Sequence, residues 1–249
     1  MKRLMIILAM LALLTACSIP APLPGNPYTA ADFEYRDGYL TCTAGECRLG
    51  VDVSSHEGDI DWQTVADSGV EFAMIRIGYR RYLEGGIVED PNAGANIEGA
   101  KAAGLDVGAY FFSQAVTTQE AEEEAAWAAA YLENTELDLP LVFDWEHVGS
   151  SEARTAGLED RKLLTACARS FCDVVRAAGY EPMVYFNVYQ SRDLYDLKAL
   201  QDCGFWLARY RDGLDFPYAV DLWQYTENGE VPGIPDKVDL NLWLPRAEE

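Results

Sequence analysis

Residues 139–146 read Leu-Pro-Leu-Val-Phe-Asp-Trp-Glu, an apolar run that ends in two carboxylates separated by one residue. Residues 141–143 predict a buried strand, because the run is short, rich in β-prone residues and has proline only at its entrance. Side chains alternate along a strand, so Asp144 and Glu146 would leave one face with their Cα atoms about 6.5–7 Å apart. Like charges this close oppose joint ionisation, and burial beside Trp145 and Phe143 would add to the effect, so we expect one pKa to rise. The pair is then either a proton donor beside an ionised carboxylate, or a strand end with two solvated acids.

The composition suits one large domain. The chain has 249 residues, of which 49% are hydrophobic and 12% aromatic, enough for a substantial core. Its 41 acidic and 19 basic residues give a formal net charge of −22. That charge repels nucleic acid and anionic membrane surfaces, so we expect no nucleic-acid partner and attribute the acidity to solubility outside the cell.

The first residues predict an export signal. Lys2 and Arg3 precede an apolar stretch at 4–14, and the motif Leu-Thr-Ala-Cys follows, ending at Cys17. This motif resembles the bacterial lipobox, which implies that residues 1–16 are a lipoprotein signal peptide and that Cys17 is lipidated. The protein would then be extracytoplasmic and anchored to the bacterial membrane. The alternative is an ordinary secretory signal with a chance cysteine.

Five further cysteines follow, and an exported protein can oxidise them. Cys42 and Cys47 flank Thr-Ala-Gly-Glu, a spacing that suits a hairpin disulfide. Cys172 with Cys203 is a second candidate pair, which leaves one cysteine over. No spacing resembles a metal site, so we expect no metal.

The sequence predicts three further segments. Residues 17–38 contain four prolines and are expected to form a flexible tether. Residues 39–48 are expected to form a small cysteine-bearing hairpin, and residues 49–246 a barrel domain.

Apolar runs alternate with helical patterns through this domain. Strands are predicted at 50–54, 72–78, 107–112, 141–143, 183–187, 204–209, 219–224 and 238–242, and helices at 61–68, 92–103, 117–133 and 158–178. Strands that alternate with helices indicate an α/β fold with a parallel sheet, and eight strands can close into a TIM-like (β/α) barrel. The short segments between the last strands require abbreviated late helices.

Acids and aromatic residues collect at the predicted strand ends, which meet at one mouth of such a barrel. The acids are Asp52, Asp144, Glu146 and Asp239. The other polar and aromatic residues at strand ends are Tyr79, Tyr110, Phe112, Tyr185, Asn187, Trp206, Tyr210, Trp223, Gln224 and Tyr225. Aromatic faces stack on sugar rings and paired carboxylates cleave glycosidic bonds, so the set favours a carbohydrate site. Core packing is the alternative for any single aromatic residue.

Six motifs in order resemble one family. They are Gly-Val-Asp-Val-Ser-Ser-His-Glu-Gly-Asp-Ile-Asp-Trp at 50–62, Phe-Ala-Met-Ile-Arg at 72–76, Gly-Ala-Tyr-Phe-Phe at 108–112, Asp-Trp-Glu at 144–146, Trp-Gln-Tyr at 223–225 and Val-Asp-Leu-Asn at 238–241. From about residue 49 to 244 the chain resembles the glycoside hydrolase family 25 lysozymes. The resemblance implies a flattened β/α barrel. It also implies N-acetylmuramidase activity on the β-1,4 bond from N-acetylmuramic acid to N-acetylglucosamine in peptidoglycan, without a cofactor.

The resemblance assigns roles to single residues. Glu146 matches the family's acid and Asp144 its partner, while Asp52 and Asp239 match the acids of the first and last strands. Tyr110 matches the tyrosine of the third strand. The residues that fall in segments lining the family's groove are Gln224, Trp206 and Tyr210.

Two mechanisms remain open. Glu146 would protonate the leaving oxygen while an ionised Asp144 orients the substrate's own N-acetyl group as nucleophile, which predicts retention at the anomeric carbon. Alternatively, Asp52 or Asp239 would activate water directly, which predicts inversion. Two other functions also stay open: a lipoprotein that binds muropeptides without cutting them, and a hydrolase of chitin-like glycans. For the enzyme we expect a monomer whose partners are peptidoglycan glycan strands.

Overall fold

The computed structural model describes residues 22–244. The predicted signal peptide at 1–16 and the predicted lipidation site Cys17 lie outside the described residues. Between residues 22 and 244, no helix is both long and apolar enough to cross a membrane.

Eleven strands and four α-helices occupy this part of the chain. The strands are β1 (Phe33–Arg36), β2 (Tyr39–Cys42), β3 (Arg48–Val53), β4 (Phe72–Arg80), β5 (Ile87–Glu89), β6 (Asp106–Ser113), β7 (Leu141–Trp145), β8 (Pro182–Asn187), β9 (Gly204–Ala208), β10 (Leu222–Gly229) and β11 (Val238–Trp243). The helices are α1 (Trp62–Asp67), α2 (Ala93–Ala102), α3 (Thr118–Tyr131) and α4 (Arg161–Ala177).

Eight strands close into a barrel. The ring runs β3, β4, β6, β7, β8, β9, β10 and β11, and β11 pairs back to β3, while β5 is an extra strand on the edge of β4. The α-helices come before β9, and the later connection at Gln190–Leu194 and Leu197–Leu200 consists of a π-helical and a 3-10 turn. The predicted α/β barrel with eight strands and abbreviated late helices is confirmed.

The last barrel strand departs from the expected parallel sheet. β11 is antiparallel to both of its neighbours, β10 and β3. Only residues 230–237 connect β10 to β11, and a parallel crossover needs about a dozen residues or more, so the chain turns back as a hairpin. The register places Asp239 opposite Asp52.

Helix α4 illustrates how the outer layer follows from sequence. Asp160 caps it by accepting the backbone N–H of Leu163 at 3.0 Å, and Gly179, with φ 93°, follows its end. Its buried face includes Phe171, whose ring lies 5.1 Å from that of Phe143 in β7. The helix therefore packs on the outward side of the strand that carries the carboxylate motif.

The N-terminal hairpin is not where the sequence analysis put it. β1 and β2 form the hairpin, so it lies at 33–42 rather than 39–48 and begins inside the predicted tether of residues 17–38. Its turn uses Asp37 at φ 51° and Gly38 at φ 92°, the left-handed conformations that a tight hairpin turn requires.

The predicted tether is also packed from residue 24 onward. The carbonyl of Pro24 accepts the N–H of Ala219 at 3.0 Å, and the N–H of Asn26 donates to Pro217 at 3.1 Å. Phe33 is buried, with its ring edge-on to Trp223 at 5.0 Å. The segment therefore covers the outer face of β10 instead of extending into solvent.

The predicted disulfide is not formed in this structure. Cys42 and Cys47 are free thiols, although the two side chains hydrogen-bond to each other. The second candidate pair, Cys172 and Cys203, is likewise free and hydrogen-bonded. Proximity within each pair is as expected, and oxidation of either pair stays a prediction.

Phe33→Ala tests whether the N-terminal hairpin belongs to the barrel's folding unit. The change removes a buried ring from its contact with Trp223, so the free energy of unfolding should fall by about 3 kcal/mol in a urea titration. Tyr35→Ala in the same strand is the control, because Tyr35 is 54% exposed and should cost about 0.5 kcal/mol or less. Equal, small losses for both variants would show that the hairpin is not part of that unit.

Candidate active site

A cavity of about 180 Å³ opens at the end of the barrel where the parallel strands finish. Its lining residues are Asp52, Ser54, His56, Glu57, Arg76, Tyr110, Phe112, Asp144, Glu146, Tyr185, Trp206, Gln224 and Asp239. All four acids named from the sequence therefore line one cavity. Because Asp239 begins the antiparallel strand β11, it reaches the same mouth as the strand ends.

Asp144 and Glu146 face this cavity together, as the alternation of strand side chains requires. Asp144 is only 5% exposed. Phe143 and Trp145 belong instead to the core between the strands and the outer elements. The expectation that these two side chains desolvate the acids is therefore wrong. The apolar groups beside the acids are those of the barrel interior, namely Tyr110, Tyr185 and Trp206.

A second carboxyl pair is built by the closure of the barrel. Asp52 and Asp239 lie opposite each other across β3 and β11, and their side chains hydrogen-bond. Asp52 Oδ2 also accepts hydrogen bonds from Gln224 Nε2 at 2.9 Å and Asn241 Nδ2 at 2.7 Å. Burial and then the charge of Asp52 raise the pKa of Asp239 to about 9, whereas burial raises the pKa of Asp52 to about 6 against these stabilising amides.

The pKa values of both Asp144 and Glu146 rise, where we expected only one to do so. Burial, followed by the charges of Glu146 and Asp52, raises the pKa of Asp144 well above its usual range. Burial and the charge of Asp52 raise the pKa of Glu146 to about 7. Burial in the barrel interior therefore opposes the expected ionised state of Asp144 in the free protein, and the charge of Arg76 favours it. The two groups titrate as a pair that shares protons.

Asp144 also carries an orphan oxygen. Its Oδ1 is buried and has no hydrogen-bond partner among residues 22–244. A buried acceptor without a partner costs free energy, and such a group in a cleft marks a place where a donor from a ligand would fit.

Arg76 is a site residue that the sequence analysis did not select. It lines the cavity from β4, and its guanidinium pairs with the fully buried Asp90 at 2.7 Å. The backbone N–H of Ser55 donates to the same Asp90 oxygen at 3.1 Å, which fixes the ion pair. The charge of Arg76 lowers the pKa of Asp144 against the effect of burial. Its position inside an apolar strand could have identified Arg76 from the sequence, because a buried cation needs a buried partner of opposite charge.

An amide network connects the remaining side chains of the mouth. Gln224 Oε1 accepts the hydroxyls of Tyr185 and Tyr210, each at 3.1 Å. Trp206 Nε1 donates to Asn241 Oδ1 at 2.8 Å. Asn241 was missed, although it lies two residues from Asp239 on the same strand and therefore shares its face.

A second cavity, of about 450 Å³, adjoins the first at Glu146 and Tyr185. Two further residues named from the sequence, Asn187 and Tyr210, line only this second cavity. The predicted polar and aromatic residues thus divide between two adjoining cavities.

Three of the predicted binding residues line neither the acidic cavity nor the second cavity. Trp223 is fully buried and its Nε1 donates to the carbonyl of Arg209 at 2.8 Å. The hydroxyl of Tyr225 accepts the N–H of Leu40 in the hairpin at 3.3 Å. Both flank Gln224 in β10, so the alternation of strand side chains turns them away from the barrel interior. We therefore reassign them to the core that packs against the outer face of the sheet. Tyr79 instead places its ring 5.4 Å from the guanidinium of Arg76.

Within residues 22–244, no group of three or more His, Cys, Asp or Glu side chains is placed to hold a metal ion. A larger cavity, of about 900 Å³, lies between the N-terminal hairpin and the β10–β11 hairpin. None of the four acids lines that larger cavity.

A β/α barrel with buried carboxyl groups at its mouth is an arrangement suited to glycoside hydrolysis. The sequence profile described as "Glycosyl hydrolases family 25" matches residues 51–234, and the chain belongs to this family.

Two individual relatives match most of the length of this chain. The chain is 30% identical over 213 residues to the "Uncharacterized protein YegX" of Escherichia coli strain K12, covering 80% of this chain and 71% of the relative. It is 29% identical over 209 residues to "Lysozyme M1" of Streptomyces globisporus, covering 77% of this chain and 66% of the relative.

Among solved structures, the modular autolysin LytC from Streptococcus pneumoniae, in complex with a synthetic peptidoglycan ligand, superposes with a TM-score of 0.72 at 25% identity. The match covers 85% of this chain and 52% of the LytC chain. The chain therefore spans about half the length of that autolysin.

Asp239→Asn tests the raised pKa of the second carboxyl pair. An acid with a raised pKa in the folded state binds more protons when folded, so the protein loses stability as the pH rises from about 4 towards 9. Removing that acid should therefore raise the free energy of unfolding of the variant relative to the wild type. This difference should be about 1 kcal/mol larger at pH 8 than at pH 5, a value discounted for the partial exposure of Asp239.

Urea titrations at several pH values measure this difference. Asp236→Asn is the matched control, because Asp236 is exposed and does not line the acidic cavity. A stability difference for Asp239→Asn that does not change with pH would contradict the shift.

Proposed function

We propose that this chain is an N-acetylmuramidase that cleaves the β-1,4 bond between N-acetylmuramic acid and N-acetylglucosamine in peptidoglycan. Glu146 acts as general acid and base, and Asp144 stabilises a substrate-assisted intermediate. Family membership and the similarity to a lysozyme support peptidoglycan as the substrate. The observation that carries the mechanism is the buried, unpartnered Oδ1 of Asp144 in the cavity that Glu146 also lines.

Glu146 is suited to the proton transfers. With a pKa of about 7, it is largely protonated in a mildly acidic solution and can give its proton to the leaving glycosidic oxygen. The same group, now a carboxylate, can then take a proton from the water that completes hydrolysis.

Asp144 is suited to the substrate's N-acetyl group. The amide N–H of that group would supply the donor that Oδ1 lacks. As the glycosidic C–O bond breaks, the carbonyl oxygen of the N-acetyl group bonds to the anomeric carbon, and the resulting oxazolinium carries a positive charge. Both the N–H bond and this charge favour the ionised form of Asp144, as does Arg76, and they oppose the burial that raises its pKa in the free protein. Glu146 would then hold the proton of the pair.

Tyr110 supports the same arrangement. It lines the acidic cavity, and burial raises its pKa well above the usual range, so its hydroxyl keeps its proton and can donate to the N-acetyl carbonyl.

The remaining carboxyls are less suited to direct water attack. Asp52 Oδ2 is already engaged by two amide donors. Asp239, with a pKa of about 9, is protonated at neutral pH and is a poor base. These observations favour retention over inversion.

Glu146→Gln should lower the release of reducing ends from purified peptidoglycan by about 100- to 10,000-fold, because the general acid is lost. The wild-type rate should fall as the pH rises through about 7, where Glu146 loses its proton. Glu227→Gln, at an exposed residue that does not line the cavity, should match the wild type.

Mass spectrometry of the products identifies the bond that is cut. Near-normal activity of Glu146→Gln would remove Glu146 from its role. Wild-type protein that sediments with peptidoglycan without releasing products would instead be a muropeptide-binding protein. Faster cleavage of chitooligosaccharides than of peptidoglycan would indicate a hydrolase of chitin-like glycans.

NMR spectroscopy of the early products tests the substrate-assisted step. Two displacements at the anomeric carbon restore its configuration, so the β-anomer should appear first and mutarotate later. An initial α-anomer would mean that water attacks directly and would exclude Asp144 from the proposed role.

We further propose that the enzyme acts outside the cytoplasm from a lipid anchor at Cys17. The lipobox-like motif supports this location. Metabolic labelling with a fatty acid, compared between the wild type and Cys17→Ala, tests the attachment.

A further inference from the structure

The cavity beside the acidic mouth differs from it in charge. The acidic cavity is lined by five carboxyl side chains and one arginine, Arg76, which is paired with Asp90. The second cavity has Glu146 as its only carboxyl lining residue and two arginines, Arg209 and Arg211. In a chain with a net charge of −22, two arginines beside a single lining carboxyl set the second cavity apart.

The two arginines are not equivalent. Arg209 is held by Asp215, with its Nε and one terminal nitrogen each 2.7 Å from a carboxylate oxygen. Arg211 lies two residues further along the chain and is exposed. Arg211 takes part in none of the ion pairs formed within residues 22–244, although its charge, like that of Arg209, lowers the pKa of Asp215. Its guanidinium is therefore not engaged by a direct carboxylate contact and is available to an incoming anion. Arginine binds carboxylates through paired N–H donors, which gives direction as well as attraction.

Two exposed tyrosines give the same cavity a surface for a sugar. Tyr189 is 40% exposed and Tyr210 is 42% exposed, and they come from the connections after β8 and β9. Their hydroxyls are held by Glu159 and Gln224 respectively, so the rings are fixed rather than freely rotating. Fixed aromatic rings stack on the apolar faces of sugars at little entropic cost.

The position of the cavity links it to the reaction. Glu146 and Tyr185 line both cavities, so a polymer whose linkage lies at Glu146 has space to continue into the second cavity.

We propose that this second cavity is a subsite for a sugar residue that carries a carboxylate, with Arg211 as the specificity-determining residue that pairs with that carboxylate. This inference rests on the proposed function. On peptidoglycan the carboxylate has two sources: the lactyl group of a muramic acid without a stem peptide, or the carboxylates of an attached stem peptide. Either source presents the same chemistry to the guanidinium.

Three soluble substrates separate these sources. The first is uncross-linked glycan strands with stem peptides, the second is the same strands after an amidase has removed the peptides, and the third is a chitooligosaccharide, which has no carboxylate. Wild type, Arg211→Gln, Arg211→Lys and the control Arg36→Gln are compared. Arg36 is an exposed arginine of the N-terminal hairpin, and its loss changes the net charge equally.

Arg211→Gln should raise KM about 3- to 10-fold on the strands whose carboxylate Arg211 binds, with kcat nearly unchanged. Arg211→Lys should recover part of the loss, and Arg36→Gln should match the wild type. The chitooligosaccharide should bind all four proteins alike. Weaker binding of Arg211→Gln to the stripped strands would identify the lactyl carboxylate as the group recognised. Weaker binding to the strands with peptides would identify a carboxylate of the stem peptide.

Equilibrium dissociation constants from tryptophan fluorescence, measured in parallel, keep this inference separate from the proposed function. If the wild type releases no products from any strand, the proposed function fails, and the dissociation constants still test Arg211. If Arg211→Gln binds both kinds of strand as the wild type does, or weakens the chitooligosaccharide equally, the carboxylate subsite is overturned while the hydrolase stands.

Discussion

The site depends on the antiparallel pairing of β11 with β3. A ring of eight hydrogen-bonded strands must close on itself, and here the closing strand runs against its neighbours because its connection is too short for a crossover. The register of that pairing sets Asp239 opposite Asp52, and Asn241 follows two residues later on the same face. Amide donors from Asn241 and Gln224 then hold Asp52 as a fixed acceptor. The topology thus brings Asp52 and Asp239 together as a second carboxyl pair, beside the pair Asp144 and Glu146 at the end of β7.

Burial of these acids has an electrostatic consequence. Acids kept out of water prefer their neutral forms, so burial raises the pKa values of these carboxyls above those of exposed ones. The raised pKa values of these acids make the folded state less stable at neutral and higher pH. Such a cost is common where a site is arranged for chemistry rather than for stability. Arg76, itself held by Asp90, is the one cation lining this cavity, and it lowers the pKa of Asp144.

Much of the barrel followed from the sequence, because apolar runs alternating with capped helices leave few other arrangements. The spacing of Asp144 and Glu146 correctly placed both in one cavity. Alternation, applied fully, would also have turned Trp223 and Tyr225 away from Gln224, and would have added Asn241 to Asp239. The Asp37-Gly38 dipeptide was an unused hairpin signal.

Other features depend on tertiary contacts that no local pattern encodes. The desolvation of Asp144 comes from rings on β6, β8 and β9, which approach it only once the barrel is closed. The pairing of Arg76 with Asp90 and the packing of Phe33 on Trp223 likewise join distant parts of the chain. The sequence could indicate that Arg76 needs a partner, but not which one.

The covering of β10 by the N-terminal hairpin bears on how this domain should be dissected. The match to the family begins at residue 51, beyond Phe33 and Leu40, which pack against the outer face of the barrel. A fragment cut at the family boundary would leave Trp223 and Tyr225 without that cover. Bare aromatic surface of this kind promotes self-association, so we expect a fragment that begins at residue 51 to be less soluble than one that keeps the hairpin.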